Sequence, residues 1–136
     1  MLALLGLKDD YVSEGRALTE VFQAWAIPSG VRESTDQFLQ LAQAYKRVSA
    51  PVAELGLTTL RVSTAARAAD ETKRHNLQSQ LLVIASLRND LSAAMANLLN
   101  AAAFHGRRIS EPETRQLVRS ADDLVEYVKL LAANGW

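Results

Sequence analysis

The chain has 136 residues, 49% of them hydrophobic and 22% charged, a composition typical of one globular domain. Fifteen basic residues balance fifteen acidic ones, so the net charge of zero offers no electrostatic basis for binding nucleic acid or an anionic membrane. The absence of cysteine excludes disulfides, thiolate catalysis and cysteine-ligated metals. No apolar run approaches the ~20 residues that span a bilayer.

The N-terminal part predicts one or two short helices. Residues 2–7 are apolar and form a short helix or the end of one, and Ser13 is a suitable N-cap for a second helix that runs to about Ala26. Pro28 and Gly30 then end it. One face of this second helix carries apolar residues at spacings of three and four: Leu18, Val21, Phe22 and Trp25. They form a candidate docking face, although large apolar side chains at helical spacing are more often ordinary core.

A long helix is predicted over residues 34–69, with Ser34 or Thr35 at its N-cap. Its apolar residues alternate steps of three and four: Phe38, Leu41, Tyr45, Val48, Val52, Leu55, Thr59, Val62 and Ala66. Pro51 lies inside this series, and an interior proline costs a helix ~3 kcal/mol. Because the apolar phase continues past Pro51, we expect a kink there and not a break.

Two further helices complete the chain. The third is predicted over residues 71–105, with an apolar period of seven and Gly106 as the residue that follows its end. The fourth begins at a capping box, Ser110 to Glu113, and ends near Gly135. The fold class is therefore all-α: an antiparallel bundle of three long helices, one kinked at Pro51, with one or two short N-terminal helices.

No arrangement of residues along the chain is typical of catalysis. The two histidines, His75 and His105, are thirty residues apart on one predicted helix, which separates them by ~45 Å. They cannot share a metal or a proton within one chain. The sequence also lacks a Glu-x-x-His pair, a Gly-x-Ser-x-Gly motif and a phosphate-binding glycine loop. We therefore predict no catalytic residue, no metal ligand and no cofactor.

Two short motifs near the N-terminus resemble a known family. Leu4-Leu5-Gly6-Leu7 is followed by Glu14-Gly15-Arg16-Ala17-Leu18. This pair is similar to the end of the catalytic domain in alkaline phosphatase-superfamily hydrolases (sulfatases and phosphodiesterases), where the second motif reads Asp-Gly-Arg-x-Leu. The match covers about a sixth of the chain. The family's nucleophile and its aspartate and histidine metal ligands all precede this region, and none maps onto the sequence.

The resemblance implies two parts: residues 1–33 as the end of a hydrolase catalytic domain, and residues 34–136 as a helical extension. The first functional hypothesis is then a non-catalytic domain that packs on the parent catalytic domain or mediates assembly. The alternative is a stand-alone helical module for protein–protein interaction or oligomerisation, with a second copy of the chain as its partner. A ligand-binding or metal-binding bundle enzyme is disfavoured by the distance between the histidines.

Overall fold

The computed structural model describes residues 23–50, 54–68 and 71–133, and within these ranges it contains helices and no strand. The all-α prediction is confirmed. A 3₁₀ turn precedes five α-helices: Ala24–Ala26, then α1 (Ser29–Arg32), α2 (Thr35–Ser49), α3 (Glu54–Ala68), α4 (Glu71–His105) and α5 (Glu111–Ala133). The predicted helix at residues 2–7 and most of the one that follows it lie outside the described residues.

The region around Pro51 differs from the prediction of one kinked helix. Helix α2 ends at Ser49, Ala50 adopts an extended conformation with ψ of 136°, and a separate helix, α3, begins at Glu54. Pro51 itself lies outside the described residues. Ala50 precedes a proline, and the proline ring disfavours the helical conformation for the residue before it. The steric effect on Ala50 therefore ends the first helix.

The apolar phase nevertheless continues from α2 into α3. Leu41 and Val48 on α2, and Leu55 and Val62 on α3, follow one another at intervals of seven residues, and all four are buried. Both helices pack against α4 and α5. The two helices thus bury one continuous apolar series in the same core, although α2 ends at Ser49 and Ala50 is extended.

Local signals in the sequence set the ends of α4 and α5. Gly106 follows α4 with a φ of 65°, the left-handed conformation that ends helices. At the start of α5, the Ser110 hydroxyl donates to Glu113 Oε2 at 2.7 Å, and the Glu113 N–H donates to Ser110 Oγ at 3.4 Å. This is the predicted capping box. The end of α4 and the start of α5 therefore lie within a residue or two of the predicted positions.

Polar contacts between the helices show where they meet. Arg47 on α2 pairs with Asp122 on α5, and Glu54 at the start of α3 pairs with Lys129 further along α5. The segment formed by α2 and α3 therefore meets α5 at two positions, first through Arg47 and then through Glu54. Near the end of α2, the Ser49 hydroxyl lies 2.8 Å from the Ser92 hydroxyl on α4. At the start of α2, the Ser34 hydroxyl accepts from the N–H of Ile109, which follows α4.

The short helix α1 packs against the C-terminal end of α4. At Gly30 a Cβ atom would lie 2.5 Å from the Arg107 carbonyl oxygen and 2.7 Å from that of Ala102, so only glycine allows this approach. Ser34 occupies the N-cap position of α2 without making a capping bond. Its hydroxyl instead donates to the Gly30 carbonyl at 2.6 Å and accepts from the Ile109 N–H at 3.0 Å. This buried side chain ties α1 to the segment between α4 and α5.

Candidate functional site

Side chains with metal-binding or acid–base chemistry are dispersed over the described residues. No group of three or more His, Asp or Glu side chains in these ranges is arranged to hold a metal ion. His75 and His105 lie near opposite ends of α4, as the sequence predicts. Helices of the described part are too short or too polar to cross a bilayer.

Helices α4 and α5 carry large apolar side chains that remain partly exposed. Val83, Leu87, Tyr127 and Leu130 are large hydrophobic residues that remain between 43% and 56% exposed. Leu87 and Tyr127 belong to an open groove of about 470 Å³, which we call the α4–α5 groove. It is lined by Leu87, Asp90, Leu91, Ser120, Asp123, Leu124 and Tyr127. The groove thus combines an apolar floor with two carboxylates and a phenol.

The apolar residues of α4 explain why this surface is uncovered. Leu81 to Ile84 are four consecutive apolar residues, and successive helical positions point about 100° apart. Leu81 and Ile84 pack in the core, while Leu82 and Val83 face outward. A helix that is apolar on several faces is normally buried on several faces. The described helices cover only part of α4, which leaves apolar surface available for a partner.

A group of four charged side chains holds the joint between α2 and α3, and we call it the joint network. Arg47 near the end of α2 contacts Asp122 at 2.5 Å and Glu54 at 3.2 Å. Glu54 also contacts Lys129 Nζ at 2.5 Å. Two of these residues are on α5, so the network links both sides of the helix break to the same neighbouring helix.

The joint network shifts the pKa values of Glu54 and Lys129. The hydrogen bond from Lys129, with further help from Arg47, holds the pKa of Glu54 below its ordinary value of 4.5 although partial burial opposes this. The same hydrogen bond to Glu54 raises the pKa of Lys129 above its ordinary value of 10.5. Both shifts favour the charged forms of Glu54 and Lys129.

Replacing Glu54 by glutamine is expected to make the stability of the protein less sensitive to acid. A carboxyl group with a lowered pKa in the folded state stabilises that state above its ordinary pKa, and the contribution is lost as the pH falls through the folded-state value. The free energy of unfolding of E54Q is therefore expected to differ from that of the native protein by about 1 kcal/mol or less near pH 6. This difference should disappear towards about pH 3. Urea unfolding at several pH values measures it.

The control is Glu33→Gln, which removes an exposed glutamate just after α1. E33Q should follow the native pH dependence of unfolding. A difference between E54Q and the native protein that stays constant from about pH 6 to about pH 3 would contradict the assigned role of the joint network.

A second groove lies between α3 and α5, and we call it the α3–α5 groove. It has a volume of about 620 Å³ and is lined by Glu54, Leu57, Thr58, Arg61, Val62, Lys129, Ala132 and Ala133. Part of its lining is apolar, and its two basic side chains are Arg61 and Lys129. It opens beside the last described residue of α5.

Of the predicted docking face, only Trp25 falls within the described residues. Leu18, Val21 and Phe22 lie outside them, so whether these four side chains share a face stays a prediction. Trp25 is in a 3₁₀ turn, not an α-helix, and is 80% exposed. Its indole N–H donates to Gln23 Oε1 at 2.5 Å. The indole of Trp25 is therefore available to a partner and is not part of the core.

Sequence reasoning missed both grooves. The signal for the α4–α5 groove was present in the apolar run Leu81 to Ile84, which no single helical face can accommodate. The α3–α5 groove had no comparable signal, because it depends on where α3 lies after the break at Ala50.

Comparisons with known proteins give no family for the chain: no protein-family model matches it, and neither does a curated protein or a solved structure.

Proposed function

We propose that this chain is a non-catalytic helical module that acts by packing on another protein surface through the α4–α5 groove. The observation that carries the proposal is the set of large apolar side chains left half-exposed on α4 and α5, two of which, Leu87 and Tyr127, line that groove. The set is Val83, Leu87, Tyr127 and Leu130. The module would be an antiparallel bundle of three long segments, in which α2 and α3 together form one segment.

Covering a half-exposed leucine-sized side chain gains roughly 1 kcal/mol, so four such residues supply several kcal/mol towards binding. Tyr127 adds an amphipathic ring, the kind of residue that often dominates binding at protein interfaces. Asp90 and Asp123 at the groove would select partners with donors or positive charge at matching positions.

The partner that the resemblance favours is a catalytic domain in the same polypeptide. Residues 4–7 and 14–18 resemble the end of the catalytic domain in alkaline phosphatase-superfamily hydrolases, which would place such a domain before the bundle. The bundle would then pack on the enzyme body or mediate its assembly, and the 136-residue chain alone would be inactive. Hydrolysis of an aryl phosphate ester by this chain with divalent metal would overturn the non-catalytic assignment.

The reading frame upstream of Met1 tests the identity of this partner. If it encodes a metal-dependent hydrolase, Leu87→Ser in the full-length protein should loosen the bundle from the enzyme body and speed proteolysis between the two parts. The matched control is Leu60→Ser, because Leu60 is an exposed leucine on α3 outside the groove. A frame without a hydrolase domain would overturn the assignment of this partner.

The second candidate function is self-association through the same groove. An apolar patch on a chain with no net charge is suited to a two-fold symmetric dimer, in which each copy covers the other. Sedimentation of the 136-residue chain should then show a dimer that L87S dissociates and L60S leaves intact. A monomer at high concentration would exclude this alternative and leave the first proposal standing.

A further inference from the structure

Each of the two helices that form the α4–α5 groove contributes one carboxylate to it. Leu87 and Asp90 line the groove from α4, and Asp123 and Tyr127 line it from α5. On each helix the two residues are three or four positions apart, so they lie on one helical face. Leu124, which also lines the groove, is buried. Each side of the groove therefore presents an exposed apolar side chain next to an exposed acidic one.

These two carboxylates have no positively charged partner in the part of the chain that the structure describes. Other carboxylates are paired: Glu54 and Asp122, for example, both contact Arg47. Asp90 and Asp123, in contrast, form no ion pair within the described ranges. The groove lining also contains no lysine or arginine. Negative charge thus stands beside the apolar surface without a compensating cation from these ranges.

The length of the apolar surface suits a helix as occupant. Val83 precedes Leu87 by four positions and Leu130 follows Tyr127 by three, so partly exposed apolar residues continue for one more turn on each helix. At 1.5 Å per residue, α5 spans about 15 Å between Ser120 and Leu130, which matches about three helical turns. The described residues contain no strand edge with which an extended segment could pair, whereas a groove between helices accepts an amphipathic helix.

We propose that the α4–α5 groove binds a cationic amphipathic helix of the partner. Apolar residues at positions i, i+4 and i+7 of that helix pack between Leu87 and Tyr127. A lysine or arginine on either side of this apolar stripe pairs with Asp90 or Asp123. Such charge pairs at the rim of an apolar contact determine the choice and orientation of the partner more than the affinity. The inference rests on the proposed function, because it takes the same groove as the binding surface, and it adds the chemistry of the partner.

Three synthetic peptides of about 18 residues, long enough to form a helix, test this chemistry. They share one stripe of leucines and carry lysine, glutamine or glutamate on both sides of it. Nuclear magnetic resonance titration of the 136-residue chain locates each peptide by the amide shifts it causes and measures its Kd. The lysine peptide is expected to bind at the groove about tenfold more tightly than the glutamine peptide. The glutamate peptide should bind more weakly than both.

Variants of the chain identify the groups that recognise the peptide. Asp90→Asn and Asp123→Asn should each weaken binding of the lysine peptide about threefold and leave the Kd of the glutamine peptide unchanged. The matched control is Asp36→Asn on α2, which changes the net charge equally at a position that does not line the groove. Leu87→Ser should weaken binding of all three peptides, whereas Leu60→Ser should leave it unchanged.

Equal affinities for the lysine and glutamate peptides would overturn the inference, and so would a lysine preference that survives in the double variant D90N/D123N. If L87S still weakened all three peptides, the groove would remain a binding surface and the proposed function would stand. Peptide-induced shifts outside the groove, or no binding at all, would also overturn the inference. The proposed function fails on different results, namely those of proteolysis of the full-length protein and of sedimentation, which involve no peptide.

Discussion

Replacing Leu41 by alanine is expected to destabilise the protein by about 2–5 kcal/mol. Leu41 is fully buried on α2 and begins the series of core residues at seven-residue spacing that continues through Val48 into α3. Truncation removes apolar contacts. It also leaves a cavity, because the closely packed neighbouring side chains move only partly into the space of the removed atoms. Urea unfolding followed by circular dichroism at the helical band measures the change.

The matched control is Leu82→Ala, the same chemical change at a position on α4 that is 73% exposed. Because little apolar surface is lost to water there, L82A is expected to alter the free energy of unfolding by no more than about 0.5 kcal/mol. Equal effects at the two positions would contradict the assignment of Leu41 to the core and of Leu82 to the outer surface.

Replacing Gly30 by alanine is expected to cost about 1–3 kcal/mol or more, although the change adds a single methyl group. The new Cβ would lie 2.5 Å from the Arg107 carbonyl oxygen and 2.8 Å from the Gly106 carbonyl carbon. Both are backbone atoms, so no side-chain rotation relieves the overlap, and α1 has to move away from the end of α4. Thermal unfolding of G30A should show a lower Tm.

Ser29→Ala tests whether the effect belongs to Gly30 or to α1 in general. Ser29 is the exposed first residue of the same helix, and its replacement should change the Tm little. If G30A were as stable as S29A, α1 would not pack closely on α4.

The end of α4 and the start of α5 could be predicted from the sequence because their signals are local. The Ser110 N–H donates to the Glu113 carboxylate and the Glu113 N–H donates to the Ser110 hydroxyl within one turn. Gly106 provides the left-handed residue that ends α4. Neither signal depends on distant parts of the chain. The helix break required a different argument, because apolar periodicity reports which face is buried and not whether the backbone is continuous. Ala50 shows the distinction: the phase continues while the helix ends.

The candidate site was harder to predict for a physical reason. Whether an apolar side chain is buried or exposed depends on how many other helices pack around its own helix. The sequence of α4 does not show how many helices pack around it. Leu82, Val83 and Leu87 resemble core residues in type, yet they face outward because the described helices do not cover that side of α4. Trp25 illustrates the same difficulty, since its size suggests burial and its position in a 3₁₀ turn leaves it exposed.

The separation of α2 from α3 has a consequence for how the protein opens locally. Cooperative units in native-state hydrogen exchange are roughly contiguous segments. Helix α2 ends at Ser49, and the backbone of Ala50 is extended. Amides in α3 are therefore expected to exchange through a partial opening that leaves α2 protected, with the joint network as the last attachment to release. Slow exchange in α2 together with faster exchange in α3 would show that the two halves of one buried apolar series open separately.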